Sequence, residues 1–296
     1  QIFFTLSVGI GVILTYASYV RRNQDVVLSS LSSCAANGFA EVIIGGTIVI
    51  PMAIVLFGVN NVEQVAKVGT FGLGFNTMPV LLGKMPLSSL MQFTWFMLLF
   101  FAGITSSVSI LQPTVSFLED EFSWKRSRAV MVTALLSFVM CLIGVFGLSG
   151  GAIDELDFWG GTFALVLFGT IEAILFAWVL GIDKGWDELN RGAHIKLPVI
   201  FKYILKYVTP VYLLVIMVAW FITDGWGFIT LKGIDPSEQV NFLGITLSKT
   251  VFIAAFRILL LMLLFGINLV IYLAWKKNKK ENKSTVNNLE RKTVHA

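Results

Sequence analysis

Apolar runs of membrane length recur along this chain, and they constrain its fold more than any other feature. A helix that crosses a bilayer needs about 20 predominantly apolar residues. Seven runs qualify, at residues 2–20, 26–57, 88–117, 129–148, 158–180, 203–222 and 247–275. Each is continuous rather than alternating, which argues against a transmembrane barrel of short strands. Composition agrees: 14% of the 296 residues are charged, where a soluble domain carries about 25%. The expected fold class is an all-α polytopic membrane protein. Runs 26–57, 88–117 and 247–275 are longer than the membrane requires, which predicts tilt or protrusion.

The first run is apolar but makes a poor helix. Ser7-Val8-Gly9-Ile10-Gly11 sets two glycines, a β-branched pair and a hydroxyl in a row. Each glycine costs roughly 1 kcal/mol of helix stability relative to alanine. In lipid, freed backbone groups are tolerated only where they pack inside protein or line a cavity. There, loosened amides and carbonyls can hold an ion or the charged ends of a small solute. The stretch is read as a broken spanning helix that forms half of a solute site. Close packing of a glycine-containing span on a neighbour is the alternative.

Residues 58–87 separate the second and third runs. They contain Thr70-Phe71-Gly72-Leu73-Gly74-Phe75 and predict an ordered, partly helical external loop. Orientation follows from lysine and arginine. One set of polar segments holds 17 of them and the alternate set 4, with Arg257 inside the last run. The positive-inside rule then puts the N-terminus outside and the C-terminus in the cytoplasm. Residues 276–296 read as a polar, lysine-rich, mobile cytoplasmic tail whose basic start lies near anionic headgroups. The net charge of +4 suits a basic cytoplasmic face rather than nucleic-acid binding. Gln1 already sits in an apolar run, so the chain is expected to be the second part of a longer protein.

Cys34 and Cys141 lie in different runs without metal-like spacing, and they are expected to be core residues rather than a disulfide. His194 and His295 fall in polar stretches. No residue cluster has the ligand types of zinc or iron. Gly9 and Gly11 lack the lysine of a phosphate loop, and no nucleophile–histidine–carboxylate set is present. The expectation is a protein that is not an enzyme, with no catalytic residues.

Polar groups inside spans are the informative ones. They are Thr5 and Ser7 at the break, Asn37 with Glu41 one turn later, Thr105, Ser106 and Ser107 in Ala102–Ser107, and Glu172. Hydroxyls, an amide and loosened carbonyls are neutral oxygen donors. They fit Na⁺ better than Ca²⁺, which needs more negative charge around it. For Ala102–Ser107 taken alone a helix–helix contact of small residues is the stronger reading, and for Asn37 an interhelical hydrogen bond is the alternative. Glu41 and Glu172 each cost several kcal/mol in a membrane unless paired or protonated.

Longer motifs carry a resemblance. Gln1-Ile2-Phe3-Phe4-Thr5-Leu6-Ser7-x-Gly9-x-Gly11 with Thr15-Tyr16-Ala17-Ser18-Tyr19 resembles the sixth helix of the neurotransmitter:sodium symporter family. The similarity is closest to the prokaryotic amino-acid transporter branch. It continues in Asn37-x-x-x-Glu41, Phe100-Phe101-Ala102-Gly103-x-Thr105-Ser106-Ser107, Gln112-Pro113 and Phe117-Leu118-Glu119-Asp120-Glu121. Asp154-Glu155-x-Asp157-Phe158-Trp159 and Asp187-Glu188-x-Asn190-Arg191-Gly192 extend it further. The likeness runs from residue 1 to about 275; the loop Gly225–Gly244 aligns poorly.

The resemblance implies the leucine-transporter fold, with two inverted five-helix repeats plus two extra helices. Residues 1–181 would be the second repeat, 182–275 the two further spans, and 276–296 the tail. The first repeat would supply the other half of each site. By position, Thr5 and Asn37 would bind a first sodium, and Ala102, Thr105 and Ser106 a second. Phe4, Thr5, Ser7, Ile10, Ser106 and Ile110 would surround the amino acid. Ile10 departs from the phenylalanine of the bacterial leucine transporter and leaves more room. Glu41 matches the acidic residue that replaces chloride in chloride-independent members. Asp157 would be an outer-gate carboxylate, with Asp120 and Tyr19 at the inner gate and arginine partners in the first repeat.

The implied function is sodium-coupled symport of amino acids, hydrophobic ones foremost, by alternating access and without chloride, in the plasma membrane. The implied partners are the amino acid, two Na⁺ ions, the bilayer, the N-terminal repeat and a second copy in a homodimer, with no nucleic acid. Bare topology also fits a seven-span receptor or a light-driven pump, although no span has a mid-depth lysine for retinal. A non-transporting amino-acid sensor is the third option.

Overall fold

The computed structural model describes residues 2–58, 72–232, 234–235, 237–242 and 244–294. Six helices among them are long and apolar enough to cross a membrane: Val26–Pro51, Ser88–Phe122, Arg126–Phe146, Ala152–Val179, Ile200–Ile229 and Lys249–Lys276. The first run is not one of them because it is interrupted. It forms two short helices, Ile2–Thr5 and Val12–Ala17, with non-helical backbone between. Counting in chain order from that stretch, the six long helices are called the second to seventh spans.

The second span starts where Asp25 accepts a hydrogen bond from the Leu28 amide at 2.8 Å, an N-cap. It widens into π-type turns at Phe39–Gly45, continues as Gly46–Phe57 and contains Pro51. The fifth span begins at Ala152, six residues before the apolar run, because Asp154 and Glu155 suit the positive end of a helix. The sixth is longer than its apolar run at both ends, taking in Lys202 and Asp224.

One element escaped the pattern of apolar runs. Strands β1 (Gln239–Phe242) and β2 (Ile245–Ser248) form an antiparallel hairpin before the seventh span, with Phe242 opposite Ile245. The seventh span therefore begins at Lys249 rather than 247. Its helix continues to Val294 and takes in residues 276–294; lysine and glutamate are good helix formers.

In the 58–87 segment, residues 59–71, including Thr70 and Phe71, lie outside the described residues. The described part is helical over Leu73–Thr77 and Met78–Leu82. The Trp95 indole donates to the Gly74 carbonyl at 2.9 Å and the Gln92 amide to the Pro79 carbonyl at 2.9 Å, so the third span holds this segment.

Packing is uneven. Ala152, Phe252, Ile253 and Phe256 form a buried cluster, joined by Ile143, Leu156, Phe242 and Leu260. Elsewhere large apolar side chains lie at the surface, as with Phe101, 61% exposed. A lipid tail solvates such a side chain as well as a neighbouring helix does. Cys34 and Cys141 are free, but they are exposed rather than core residues, for the same reason.

Candidate functional site

The interrupted stretch is the geometric centre of the site. Ser7, Gly9 and Gly11 all have positive φ, at 58°, 77° and 80°. A side chain at Gly9 would be strained in that conformation. Its Cβ would also stand 2.5 Å from the Leu165 carbonyl and 2.8 Å from the Gly169 nitrogen. The stretch thus lies directly on the fifth span, where Gly169 in turn gives room to the Phe3 ring. Gly11 faces Pro113 of the third span. The Tyr16 hydroxyl meets the Ser109 hydroxyl of the same span at 3.1 Å. The break is held by protein on two sides.

Two glutamates attend it. Glu172, half-buried on the fifth span, accepts the Gly9 amide at 3.2 Å. It satisfies a backbone donor that the break has freed. Sequence reasoning marked Glu172 as costly without finding its partner; the signal available was a mid-span carboxylate beside a broken helix. Glu41, on the π-type turns of the second span, accepts the Thr5 hydroxyl at 2.6 Å. A hydroxyl has one proton and two lone pairs. With its proton donated to Glu41, the Thr5 oxygen could meet a cation only through a lone pair, the state a cation ligand needs. Asn37 is half-buried, four residues before Glu41 on the same helix.

The second group lies on the third span. The Thr105 hydroxyl bonds back to the Phe101 and Ala102 carbonyls at 2.9 and 3.1 Å. Ser107 bonds back to the Gly103 carbonyl at 2.7 Å. Such back-bonding satisfies a hydroxyl inside an apolar helix and leaves lone pairs free. Ala102, Thr105, Ser106 and Ile110 are all exposed in this chain. So are Phe4 and Thr5, whereas Ser7 and Ile10 are half-buried at the break.

The inner-gate candidates share a cavity. Tyr19 and Asp120 line a space of about 580 Å³ together with Leu14, Thr15, Ser18, Ser116 and Glu119. Arg126 borders this region, 3.3 Å from Glu119 and 3.3 Å from the Gln112 side chain. Just after Tyr19, Asp25 accepts the His194 amide at 2.7 Å as well as the Leu28 amide, tying two loops together. These backbone hydrogen bonds, Leu28 first and His194 second, hold the Asp25 carboxyl below its ordinary value. Asp157 starts a run of π-type turns, Asp157–Ala164, and is exposed.

A polar assembly that sequence reasoning missed lies two residues away. Glu155 binds Arg257 of the seventh span through Nε and Nη2, both at 2.8 Å. In the sequence Arg257 is a charge inside an apolar run, a position that itself calls for a partner.

A family model described as the Sodium:neurotransmitter symporter family matches residues 1–269. An uncharacterized sodium-dependent transporter of Methanocaldococcus jannaschii is 31% identical over 235 residues, 77% of this chain and 47% of that protein. Sodium-dependent nutrient amino acid transporter 1 of Drosophila grimshawi is 26% identical over 226 residues, 75% of this chain and 35% of the relative. The Drosophila melanogaster protein of that name is 25% identical over 242 residues, 80% of this chain and 36% of the relative. The chain spans about half the length of the archaeal relative and about a third of the insect ones.

Proposed function

The chain belongs to the sodium:neurotransmitter symporter family, a family of multi-pass membrane transporters and not of enzymes, and from that premise we propose that it forms one half of an amino-acid symporter and carries part of each sodium and substrate site. In this reading residues 1–181 are the second five-helix repeat and residues 182–275 two further spans. A first repeat completes the sites. The N-terminus faces outward, the tail faces the cytoplasm, and the protein resides in the plasma membrane.

The observation that carries the proposal is the interrupted stretch, with its Gly9 amide held by Glu172 and the Thr5 hydroxyl held by Glu41. Thr5 and Asn37 are the ligands of the first sodium. The Ala102 carbonyl and the Thr105 and Ser106 hydroxyls are the ligands of the second. The lining of Phe4, Thr5, Ser7, Ile10, Ser106 and Ile110 is mainly apolar, which favours a hydrophobic amino acid. Sodium binding stabilises an outward-open form, the substrate completes the first site, and closure at Asp157 followed by opening at Tyr19 and Asp120 releases both inward.

Glu41 gives the site a fixed negative charge next to Thr5. A chloride ion is then unnecessary, and transport is chloride-independent. The test is uptake into proteoliposomes holding both repeats. Uptake of a hydrophobic amino acid is expected with a sodium gradient, and chloride replaced by gluconate leaves it intact. Glu41→Ser makes uptake chloride-dependent. Wild-type uptake that collapses in gluconate contradicts the role of Glu41. Sodium-dependent binding without uptake identifies a sensor instead.

A further inference from the structure

Among the described residues, the buried polar side chains are Thr133, Thr170 and Glu155, and of these only Glu155 ionises. The transport scheme gives it no task. Its side chain is 4% exposed and that of Arg257 15%. Each polar atom of the two side chains has a partner. Oε2 of Glu155 takes the Arg257 Nε at 2.8 Å and the Trp159 indole at 3.0 Å, and Oε1 takes the Arg257 Nη2 at 2.8 Å. The guanidinium also donates to the Ile229 carbonyl at 2.7 Å and the Phe228 carbonyl at 3.0 Å. The Phe228 ring lies 5.0 Å from the guanidinium carbon and stacks on Phe158 at 3.5 Å. One arginine therefore joins the start of the fifth span, the end of the sixth and the seventh.

A two-pronged arginine–carboxylate contact fixes geometry. It is weak evidence of net stability, since well-packed apolar residues of similar volume often serve as well or better. The question is what this geometry positions. Residues two apart on a helix point roughly 200° apart around its axis. Glu155 faces the seventh span, so Asp157 is turned the other way, and it is exposed. We propose that Glu155 and Arg257 are a positioning pair that fixes the first turn of the fifth span and thereby sets the place of the Asp157 carboxylate. Arg257 acts from the seventh span, outside the five-helix repeat. The significance of Asp157 as a gate rests on the transporter reading; the positioning does not.

The pair is directional. A charge swap would set a carboxylate against the Phe228 and Ile229 carbonyls, so reversal is not a rescue. The useful variants are Arg257→Met, Arg257→Lys and the double change Glu155→Met with Arg257→Met. Arg257→Met alone leaves a buried carboxylate unpaired and is the one that risks misfolding. The double variant removes both charges and keeps the volume.

The probe is Asp157→Cys in the complete protein, with the exposed Cys34 and Cys141 changed to serine. The rate of its modification by a membrane-impermeant thiol reagent is measured, with thermal unfolding in detergent alongside. In the double variant the expected rate differs at least fivefold from the parent while the unfolding temperature is retained. Arg257→Lys, which keeps charge without the fork, falls between. In the Asp157 background, the double variant is expected to lower maximal uptake about tenfold with the half-saturating sodium concentration unchanged. A modification rate within twofold of the parent, in a double variant that stays folded, overturns the proposal and makes the pair simple packing. Absence of sodium-driven uptake in the parent counts against the transporter reading alone.

Discussion

Two regions of this molecule treat polar groups in opposite ways. At the junction of the fifth, sixth and seventh spans, Glu155 is buried and Arg257 half-buried, each polar atom of their side chains has a partner, and the cluster of Ala152, Phe252, Ile253 and Phe256 lies beside them. Along the interrupted stretch and the third span, Thr5, Thr105 and Ser106 are exposed, the Thr5 hydroxyl donating to Glu41 and the Thr105 hydroxyl back to its own helix. A polar group in a membrane protein is tolerated either because partners inside the fold satisfy it or because a ligand does. The first region is the former case. The second, in our reading, is the latter. Changes at the junction should therefore move stability and geometry, and changes along the open face should move sodium and substrate affinity.

The largest expected effect is at Gly9. Gly9→Val puts a β-branched side chain at a φ of 77° and against the Leu165 carbonyl. Sodium-dependent uptake should vanish while the protein still reaches the membrane; near-normal uptake would mean that the break does not form the site. Next is Glu172→Leu, which leaves the Gly9 amide without its acceptor at a cost of about 1–3 kcal/mol. Substrate affinity should fall, whereas Glu172→Gln, whose carbonyl can still accept, should be mild. Equal effects of the two would show that charge rather than the hydrogen bond matters.

Trp159→Phe tests the junction. It removes one hydrogen bond to the Glu155 carboxylate, a class of bond worth about 1.5–3 kcal/mol. The unfolding temperature should drop and the sodium dependence stay put. A shift in sodium affinity instead would blur the distinction between the two regions. The smallest effect is at Asp25, on the loop between the interrupted stretch and the second span. Its folded carboxyl lies below the ordinary value of 3.8. The stabilisation is thus complete above that value and lost as pH falls through the lower folded one. Asp25→Asn should flatten the acid limb of the unfolding-temperature profile there, and an unchanged limb would contradict the cap.

Much of the helical plan was legible because apolar length is a direct consequence of bilayer thickness. The break was legible from Ser7, Gly9 and Gly11 for the same kind of reason: glycine lowers helix stability locally. The hairpin of β1 and β2 was not, since four-residue strands leave no periodicity to read beside a longer apolar run. The partner of Arg257 was also hidden. The need for a carboxylate followed from its position in a span, but Glu155 stands 102 residues earlier, and only folding brings the two together. The oxygen donors at Thr5, Asn37 and Ala102–Ser106 were visible as residue types. Their arrangement depends on helix rotation, which a run of uniformly apolar neighbours does not encode.

The central claim, that the open face holds sodium, is tested most directly at Thr105. Among the described residues its hydroxyl makes hydrogen bonds only within its own helix, so removing it costs the fold little. In proteoliposomes holding both repeats, Thr105→Ala should raise the half-saturating sodium concentration for amino-acid uptake roughly tenfold, about 1.4 kcal/mol, at unchanged expression. A sodium titration that superimposes on the wild type would contradict the account and return Ala102–Ser107 to a small-residue packing surface.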